Sequence, residues 1–417
     1  MMNARADVSD VPVYVVVGGG RAGASAVAAM REANFSGRIL LVGAEPYPPY
    51  ERPPLSKEML VKPEAAQLTI YPETYYADKN IECLFGGSVV RLDSAAHRLT
   101  LASGEEFTFD KLLLATGARA RAYPLLDQLG ERVFTLRTRD DSERLRSALT
   151  PGCRLLVVGG GIIGLEVAAS AIALGATVTV IERADRLMAR GTPDPLVDIL
   201  RRLHVEKGVR FELGVTLNGA SCSNNGDVLL RAEDGRPFIG DLVVYGIGVE
   251  LNTELAVSAG LHVENGIVVD EYGRTSRPEI YAAGDAVRQW NPATRHHQRF
   301  ETWANAQSQG AAVGRSMVTG EPCSMDVPWY WTDQYGHNFQ VAGSHEASEW
   351  LHRNTGEGFK STMLGLVDDV VVGAVTIDNG REMRPIRTMI ANRFKVTDRA
   401  LLADPRVDLR KLVECGR

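Results

Sequence analysis

The chain has 417 residues, 45% of them hydrophobic and 24% charged, with a net charge of −6. That is the composition of a globular protein of more than one domain, and its acidic balance argues against a nucleic-acid binder. No apolar run reaches the roughly 18–20 residues of a membrane span, and the polar start Met1–Asp10 lacks an apolar signal core, so a cytoplasmic location is expected.

The first predicted element is the buried strand Val15-Val16-Val17, which runs into Gly18-Gly19-Gly20-Arg21-Ala22-Gly23 and then an Ala-rich helix. In a G-x-G-x-x-G turn the first glycine permits the tight bend and the second admits backbone close to a pyrophosphate. The third lets the helix pack on the strand. The helix start then offers free N–H groups and a positive dipole end to phosphate. A second buried strand, Arg38–Val42, ends near Glu45. Helices are expected near Pro54–Leu60 and Pro72–Lys79, followed by an antiparallel meander at Ser88–Leu92, Arg98–Leu101 and Glu106–Phe109. Lys111–Leu114 is another buried strand and ends in Ala115-Thr116-Gly117-Ala118.

The same arrangement then recurs. Leu156-Val157-Val158 enters Gly159-Gly160-Gly161-Ile162-Ile163-Gly164, and the next strand, Thr177–Ile181, closes at Glu182. Glu45 follows Gly23 by 22 residues and Glu182 follows Gly164 by 18, the spacing at which a carboxylate meets ribose hydroxyls. Two such units predict two dinucleotides on one polypeptide. Glu182 favours NADH over NADPH, although the adjacent Arg183 could receive a 2′-phosphate. Solvated strand-end charges are the alternative for both glutamates.

Further strands are predicted at Asp241–Gly246, Gly266–Asp270 and Ile280–Asp285, with a helix over Trp303–Met317. Beyond Pro328 the pattern turns to antiparallel strands, such as Phe339–Ala342 and Val370–Val375, with helices near Arg384–Arg393 and Asp408–Glu414. The fold class is therefore α/β, with two Rossmann-like nucleotide-binding domains, one inserted in the other, and a C-terminal α+β domain. The boundaries fall at 1–118 with 249–327, at 119–248 and at 328–417. Five scattered cysteines show no C-x-x-C or C-x4-C spacing, and the eight histidines show no ligand spacing, so neither a redox dithiol nor a metal site is expected.

At this level the chain resembles the FAD- and NADH-dependent ferredoxin reductases that serve cytochromes P450 and aromatic-ring dioxygenases, within the glutathione-reductase superfamily. Within Tyr50-Glu51-Arg52-Pro53-Pro54-Leu55-Ser56-Lys57 and Pro328-Trp329-Tyr330-Trp331-Thr332-Asp333-Gln334-Tyr335, the runs Arg52–Lys57 and Pro328–Gln334 are specific to this branch. Leu114–Arg119, Gly159–Glu166, Tyr281–Asp285 and Glu301-Thr302-Trp303 are shared more widely. The resemblance spans essentially the whole chain.

It implies FAD on the first turn, at Gly18, Gly20, Ala22, Gly23 and Ala115-Thr116-Gly117, with Glu45 on the adenosine ribose. Relatives often carry an acid one position earlier, where this chain has Ala44. It further implies Lys57 near the flavin N5, Arg52 and Arg137 offsetting charge, and Val90 along the adenine (plain core is the alternative). Gly284 and Asp285 would meet the ribityl chain, and Trp303 the pyrimidine end. NADH would take the second turn at Gly159, Gly161, Ile163 and Gly164. Glu182 would hold its ribose, Arg183 and Arg190 would lie near its adenosine, and Gly248 would lie on the nicotinamide side. Glu166 is similar to the family glutamate that meets the nicotinamide amide and could pair with Lys57. Complementing the helix dipole from the first turn is its other reading. Leu251 replaces a common family proline after Gly248.

The implied reaction is electron transfer from NADH through FAD to a small iron–sulfur carrier, a [2Fe–2S] ferredoxin or alternatively a rubredoxin. An NADH oxidase or disulfide reductase would need a cysteine over the flavin, where this chain has Ser56-Lys57. A signalling flavoprotein like apoptosis-inducing factor would need basic and targeting segments. The basic stretch Arg381, Arg384, Arg387, Arg393 and Lys395 is the candidate docking face for an acidic ferredoxin. Trp329 and Trp331 lie where the resemblance puts the edge of the flavin site, with core packing as the alternative for Trp329. A monomer is expected, with no nucleic-acid or membrane partner.

Overall fold

The computed structural model describes residues 11–189, 191–291, 295–354, 356 and 358–415. The chain packs as two compact units, one of residues up to Glu51 with Leu68–Ala118 and Leu251–Asp326, the other of Arg52–Gln67, Arg119–Glu250 and Val327–Arg417.

The first unit is built on a five-stranded parallel sheet in the order Ile280–Ala282, Lys111–Leu114, Val13–Val17, Arg38–Gly43, Ile81–Phe85. Its central strands read as continuous apolar runs because both faces are covered. On one face Val15, Leu40, Leu112 and Leu114 pack with Leu92, Leu99 and Leu101 of an antiparallel meander, Val89–Asp93, Arg98–Leu101 and Glu106–Thr108. That meander was legible in the sequence. On the other face Val16, Ile39, Leu41 and Leu113 meet Ala22, Ala26, Val313 and Met317 of the helices Arg21–Glu32 and Trp303–Thr319.

These helices approach closely because Gly310 and Gly314, one turn apart, have no side chains. A Cβ on Gly310 would lie 2.3 Å from the Ala22 carbonyl oxygen, and one on Gly314 would lie 2.4 Å from that of Ala26.

The second unit repeats the plan with the parallel order Arg210–Glu212, Thr177–Ile181, Arg154–Val158, Leu242–Tyr245, Val133–Phe134. It also carries a meander, Leu217–Cys222, Val228–Ala232 and Pro237–Gly240, so the internal repeat extends further than the glycine turns announced.

The C-terminal segment forms a five-stranded antiparallel sheet in the order Trp329–Gln334, His337–Gly343, Val370–Ile377, Ser361–Val367, Glu349–Asn354. Phe339, Val341, Met363 and Val375 on one face join Leu165, Leu196 and Leu200 of the nucleotide fold in a single core. Leu364, Leu366 and Ala374 on the other pack with Ile386 and Met389 of the helix Met383–Ala391.

Residues 52–67, expected with the first unit, pack in the second. Leu60 is buried with Leu145 and Leu155. Ser142 Oγ donates to the Leu55 carbonyl at 2.7 Å, and Ser170 Oγ donates to that of Ser56 at 2.7 Å. The helix expected over Pro54–Leu60 is two short pieces, a 3-10 turn Pro53–Ser56 and an α-turn Glu58–Val61. The break falls at Lys57, whose φ of −127° and ψ of −101° leave the helical region. The helix expected over Pro72–Lys79 is confined to Tyr75–Asp78.

Candidate active site

In parallel α/β sheets ligands gather beyond the carboxyl ends of the strands. In the first unit Val17 is in register with Val42 and Leu114, and Ala282 lies beside Leu114, so these four strands deliver their following loops to one edge. Gly18 turns with φ of +129°, its N–H donating to the Val42 carbonyl at 2.8 Å. A Cβ there would lie 2.0 Å from the Ala115 carbonyl oxygen, and a Cβ on Gly23 would lie 2.0 Å from that of Gly18. Gly20, at the helix cap, has nothing within 4 Å of its Cβ direction. The first and third glycines are thus spent on packing, and the second opens the free amides of the helix start to a ligand.

Around this turn Thr116 and Asn252 clamp one another. Thr116 Oγ1 donates to the Asn252 carbonyl at 2.6 Å, and Asn252 Nδ2 donates to the Thr116 carbonyl at 2.9 Å. Asn252 N also donates to the Gly117 carbonyl at 3.0 Å, so Leu251 in place of a proline leaves the loop pinned. Gly284, with φ of +89°, donates its N–H to Gln309 Oε1 at 2.7 Å, and the half-buried Asp285 follows it. Glu45 Oε2 accepts the Tyr50 hydroxyl at 2.6 Å.

Glu51 accepts Arg21 Nη1 at 2.9 Å and also the Trp303 indole N–H, while the Arg21 guanidinium lies 4.5 Å from the centroid of the Trp303 ring. Arg21 of the glycine turn and Glu51 of the Tyr50–Lys57 run join the site here, beyond the residues the sequence pointed to. Val90 is 58% exposed at a bulge opposite Leu101, which excludes the core reading.

The second turn repeats the first. Gly159 has φ of +110°, and its N–H donates to the Ile181 carbonyl at 2.8 Å. A Cβ on Gly159 would lie 2.5 Å from the Gly246 carbonyl oxygen, one on Gly164 would lie 2.1 Å from that of Gly159, and one on Gly161 would meet nothing within 4 Å. Ile163 is 44% exposed on the first helical turn. Glu182 is held from both sides, accepting Gly160 N at 2.6 Å and Ala184 N at 2.8 Å. Its carboxylate is therefore pre-set beside the glycine turn, with lone pairs left for ribose hydroxyls. This is more than a solvated strand-end charge. Arg183 is exposed, Gly248 turns with φ of +116°, and Arg190 lies outside the described residues. Arg52 Nη1 donates to the Arg137 carbonyl, which brings these two arginines together.

Glu166 departs from the dipole reading. It lies past the first turn of the helix Ile162–Ala173 and is only 3% exposed. Its Oε1 accepts Lys57 Nζ at 3.2 Å and Thr332 Oγ1 at 2.7 Å, and its Oε2 accepts the Ser56 hydroxyl. Lys57, 11% exposed, also stands 3.6 Å from Asp333 Oδ2. Burial pushes the Glu166 carboxyl above its ordinary range, opposed by the Lys57 ammonium and by the hydroxyls of Ser56 and Thr332. Ser56 and Thr332 lie in the branch-specific motifs, but only packing reveals that both hydroxyls meet Glu166.

Trp329 and Trp331 stack at 5.6 Å on the half-buried face of their strand, and Arg387 lies 5.3 Å from the Trp329 ring centroid. Trp329 is therefore not a core residue. Among the described residues no helix is long and apolar enough to cross a membrane, and Cys83, Cys153, Cys222 and Cys323 hold no disulfide.

Comparison with known proteins agrees with this geometry. The family description "Pyridine nucleotide-disulphide oxidoreductase" matches residues 12–310, and "Reductase C-terminal" matches 329–413. The chain belongs to the pyridine nucleotide-disulphide oxidoreductase family. Within it the chain is a member of the ferredoxin reductase branch. It is 44% identical over 383 residues to the 3-phenylpropionate/cinnamic acid dioxygenase ferredoxin--NAD(+) reductase component of Photorhabdus laumondii, covering 92% of this chain and 97% of that protein.

Two solved structures are similar at a TM-score of 0.89. The covalent putidaredoxin reductase–putidaredoxin complex is 33% identical, over 97% of this chain and 99% of that one. The ferredoxin reductase for the CYP199A2 system from Rhodopseudomonas palustris is 30% identical, over 96% and 99%. A water-forming NADH oxidase from Lactobacillus brevis, 18% identical at a TM-score of 0.80, shares the fold alone.

Proposed function

We propose that this protein passes electrons from NADH through FAD to a small iron–sulfur protein, a [2Fe–2S] ferredoxin that feeds a P450 or ring-hydroxylating dioxygenase. The observation that carries this is the pair of open glycine cradles, one per unit, together with Ser56-Lys57 where a thiol enzyme would need cysteine. Bound FAD takes electrons in pairs and releases them singly, which a one-electron carrier requires.

The protein's own work is binding and orientation. Gly18, Gly20, Ala22 and Gly23 hold the FAD pyrophosphate, and Glu45 its ribose. Ala115–Gly117, Gly284, Asp285 and Trp303 line the remainder, and Val90 approaches the adenine. Gly159, Gly161, Ile163 and Gly164 hold that of NADH, with Glu182 on the ribose and repelling a 2′-phosphate. Arg183 and Arg190 flank the adenosine, and Gly248 gives the nicotinamide loop its bend. Lys57 and Glu166 form a buried charge pair that orients the redox end. Arg52 ties down the Arg137 segment.

The exposed side chains of Arg381, Arg384, Arg393 and Lys395 support docking of an acidic ferredoxin near the helix Met383–Ala391. The protein works as a cytoplasmic monomer.

Purified protein should be yellow and should bleach anaerobically with NADH. It should then reduce cytochrome c only when a [2Fe–2S] ferredoxin is added, with rubredoxin as the competing carrier in the same assay. Reversing two of the four exposed charges should raise the ferredoxin KM several-fold and flatten its salt dependence, leaving ferricyanide turnover intact. Colourless protein, or yellow protein indifferent to NADH, would refute the reading. An unchanged KM would discard the docking face.

A further inference from the structure

Five buried or half-buried side chains of the second unit form one continuous line of hydrogen bonds. Tyr335 Oη lies 2.8 Å from His204 Nδ1, and His204 Nε2 lies 2.6 Å from Gln334 Oε1. Gln334 Nε2 donates to Thr332 Oγ1 at 2.9 Å, and Thr332 Oγ1 donates to Glu166 Oε1 at 2.7 Å. His204 and Thr332 are fully buried, and Gln334 is nearly so. The alternation of a strand supplies part of this line. Thr332 and Gln334 lie on the inward face of Trp329–Gln334, opposite Trp329, Trp331 and Asp333.

The chemistry of the donors gives the line a direction. An amide oxygen only accepts, so His204 Nε2 carries its hydrogen, and Nδ1 of the neutral ring then accepts from the Tyr335 hydroxyl. Every bond therefore donates toward Glu166. Burial holds the His204 ring neutral, its pKa lowered to about 4. The groups facing the two ends are few. Glu166 meets Lys57, Ser56 and Thr332, and Lys57 also meets Asp333. Around His204 stand Gln334, Tyr335 and the Phe211 ring, with the Lys207 ammonium 5.9 Å from the centroid of Tyr335.

We infer that Gln334 and His204 are positioning residues, which act through Thr332 to hold Glu166 as an anion opposite Lys57. Aligned donors polarise one another, so the far members strengthen the terminal Thr332–Glu166 bond. A proton on Glu166 Oε2, beside Ser56, would leave this alignment intact, but one on Oε1 would oppose it. Thr332 would then have to accept from the carboxyl, the Gln334 amide to turn over, and His204 to exchange its hydrogen from Nε2 to Nδ1 with solvent. Protonation of Glu166 at Oε1 and the tautomer of His204 are in this way linked. The inference extends the proposed function, in which the Lys57–Glu166 pair orients the redox end.

Infrared titration of the Glu166 carboxyl in the purified holoprotein, its band assigned by loss in Glu166→Gln, tests the link without turnover. Thr332→Val deletes one hydrogen bond to a charge and should weaken Glu166 ionisation about ten-fold. Thr332→Ser should restore it. Gln334→Leu and His204→Phe should give a smaller weakening in the same direction, and the pH profile of NADH-driven flavin reduction should move with it. In 15N spectra His204 should carry its hydrogen on Nε2. Glu166 ionisation unchanged in Thr332→Val, or unchanged in both Gln334→Leu and His204→Phe, or His204 protonated on Nδ1, overturns the inference. Because the infrared and 15N readouts need no NADH turnover, they stand even if the electron-transfer reading fails.

Discussion

Replacing the second or third glycine of the NADH turn with alanine separates binding from folding. Gly161 has φ of −79° and ψ of −179°, which any residue adopts, and its Cβ direction is open. Losing a glycine cap costs a few tenths of a kcal/mol to about 1, and the stiffer unfolded chain returns about 0.4–1, so Gly161→Ala should change stability by less than about 1 kcal/mol. Its methyl, however, stands where phosphate oxygens must reach the helix amides. Losing one charge-assisted bond there, roughly 1.5–3 kcal/mol, should raise the NADH KM about ten- to a hundred-fold.

Gly164→Ala is the opposite case. Its Cβ would sit 2.1 Å from the Gly159 carbonyl oxygen and 3.3 Å from Val157 Cγ1. Overpacking of this kind costs about 1–3 kcal/mol, a fall in Tm of roughly 2–10 °C. Thermal melting of both variants, beside NADH-ferricyanide kinetics, provides the test. A Gly161→Ala enzyme with wild-type KM, or a Gly164→Ala protein that melts like wild type, would refute the division of labour between these glycines.

Lys57→Met should destabilise by about 3 kcal/mol because it strands the buried Glu166, and Lys57→Met with Glu166→Gln should recover most of that in denaturant titrations. For His204 the pKa falls from 6.5 unfolded to about 4 folded. The unfolded chain therefore binds the proton first, and stability is lost as pH drops from about 6.5 to 4, by about 3 kcal/mol. Subtracting the pH–stability curve of His204→Gln from that of wild type should isolate this loss, and parallel curves would disprove it. Gly314→Val should break the contact between the helices Arg21–Glu32 and Trp303–Thr319 and sharply reduce soluble, FAD-loaded protein, whereas Gly320→Asn, at an open left-handed cap, should be tolerated.

Sequence alone determined the two glycine turns, their strands and both acidic residues, because a tight phosphate turn is local chemistry written in consecutive residues. The antiparallel C-terminal sheet and the first meander were legible for the same reason, as period-two runs between turn residues. What only the tertiary structure decided is which distant residues meet. The surroundings of Glu166 come from Ser56 and Lys57 more than a hundred residues earlier and from Thr332 more than a hundred and fifty later, so no spacing could announce them. His204 is one of eight histidines without ligand spacing, and Gly310 and Gly314 are ordinary positions of the predicted helix Trp303–Met317 until their neighbours are seen. Side-chain burial depends on the surface that each element meets, and that surface is assembled only when the whole chain has folded.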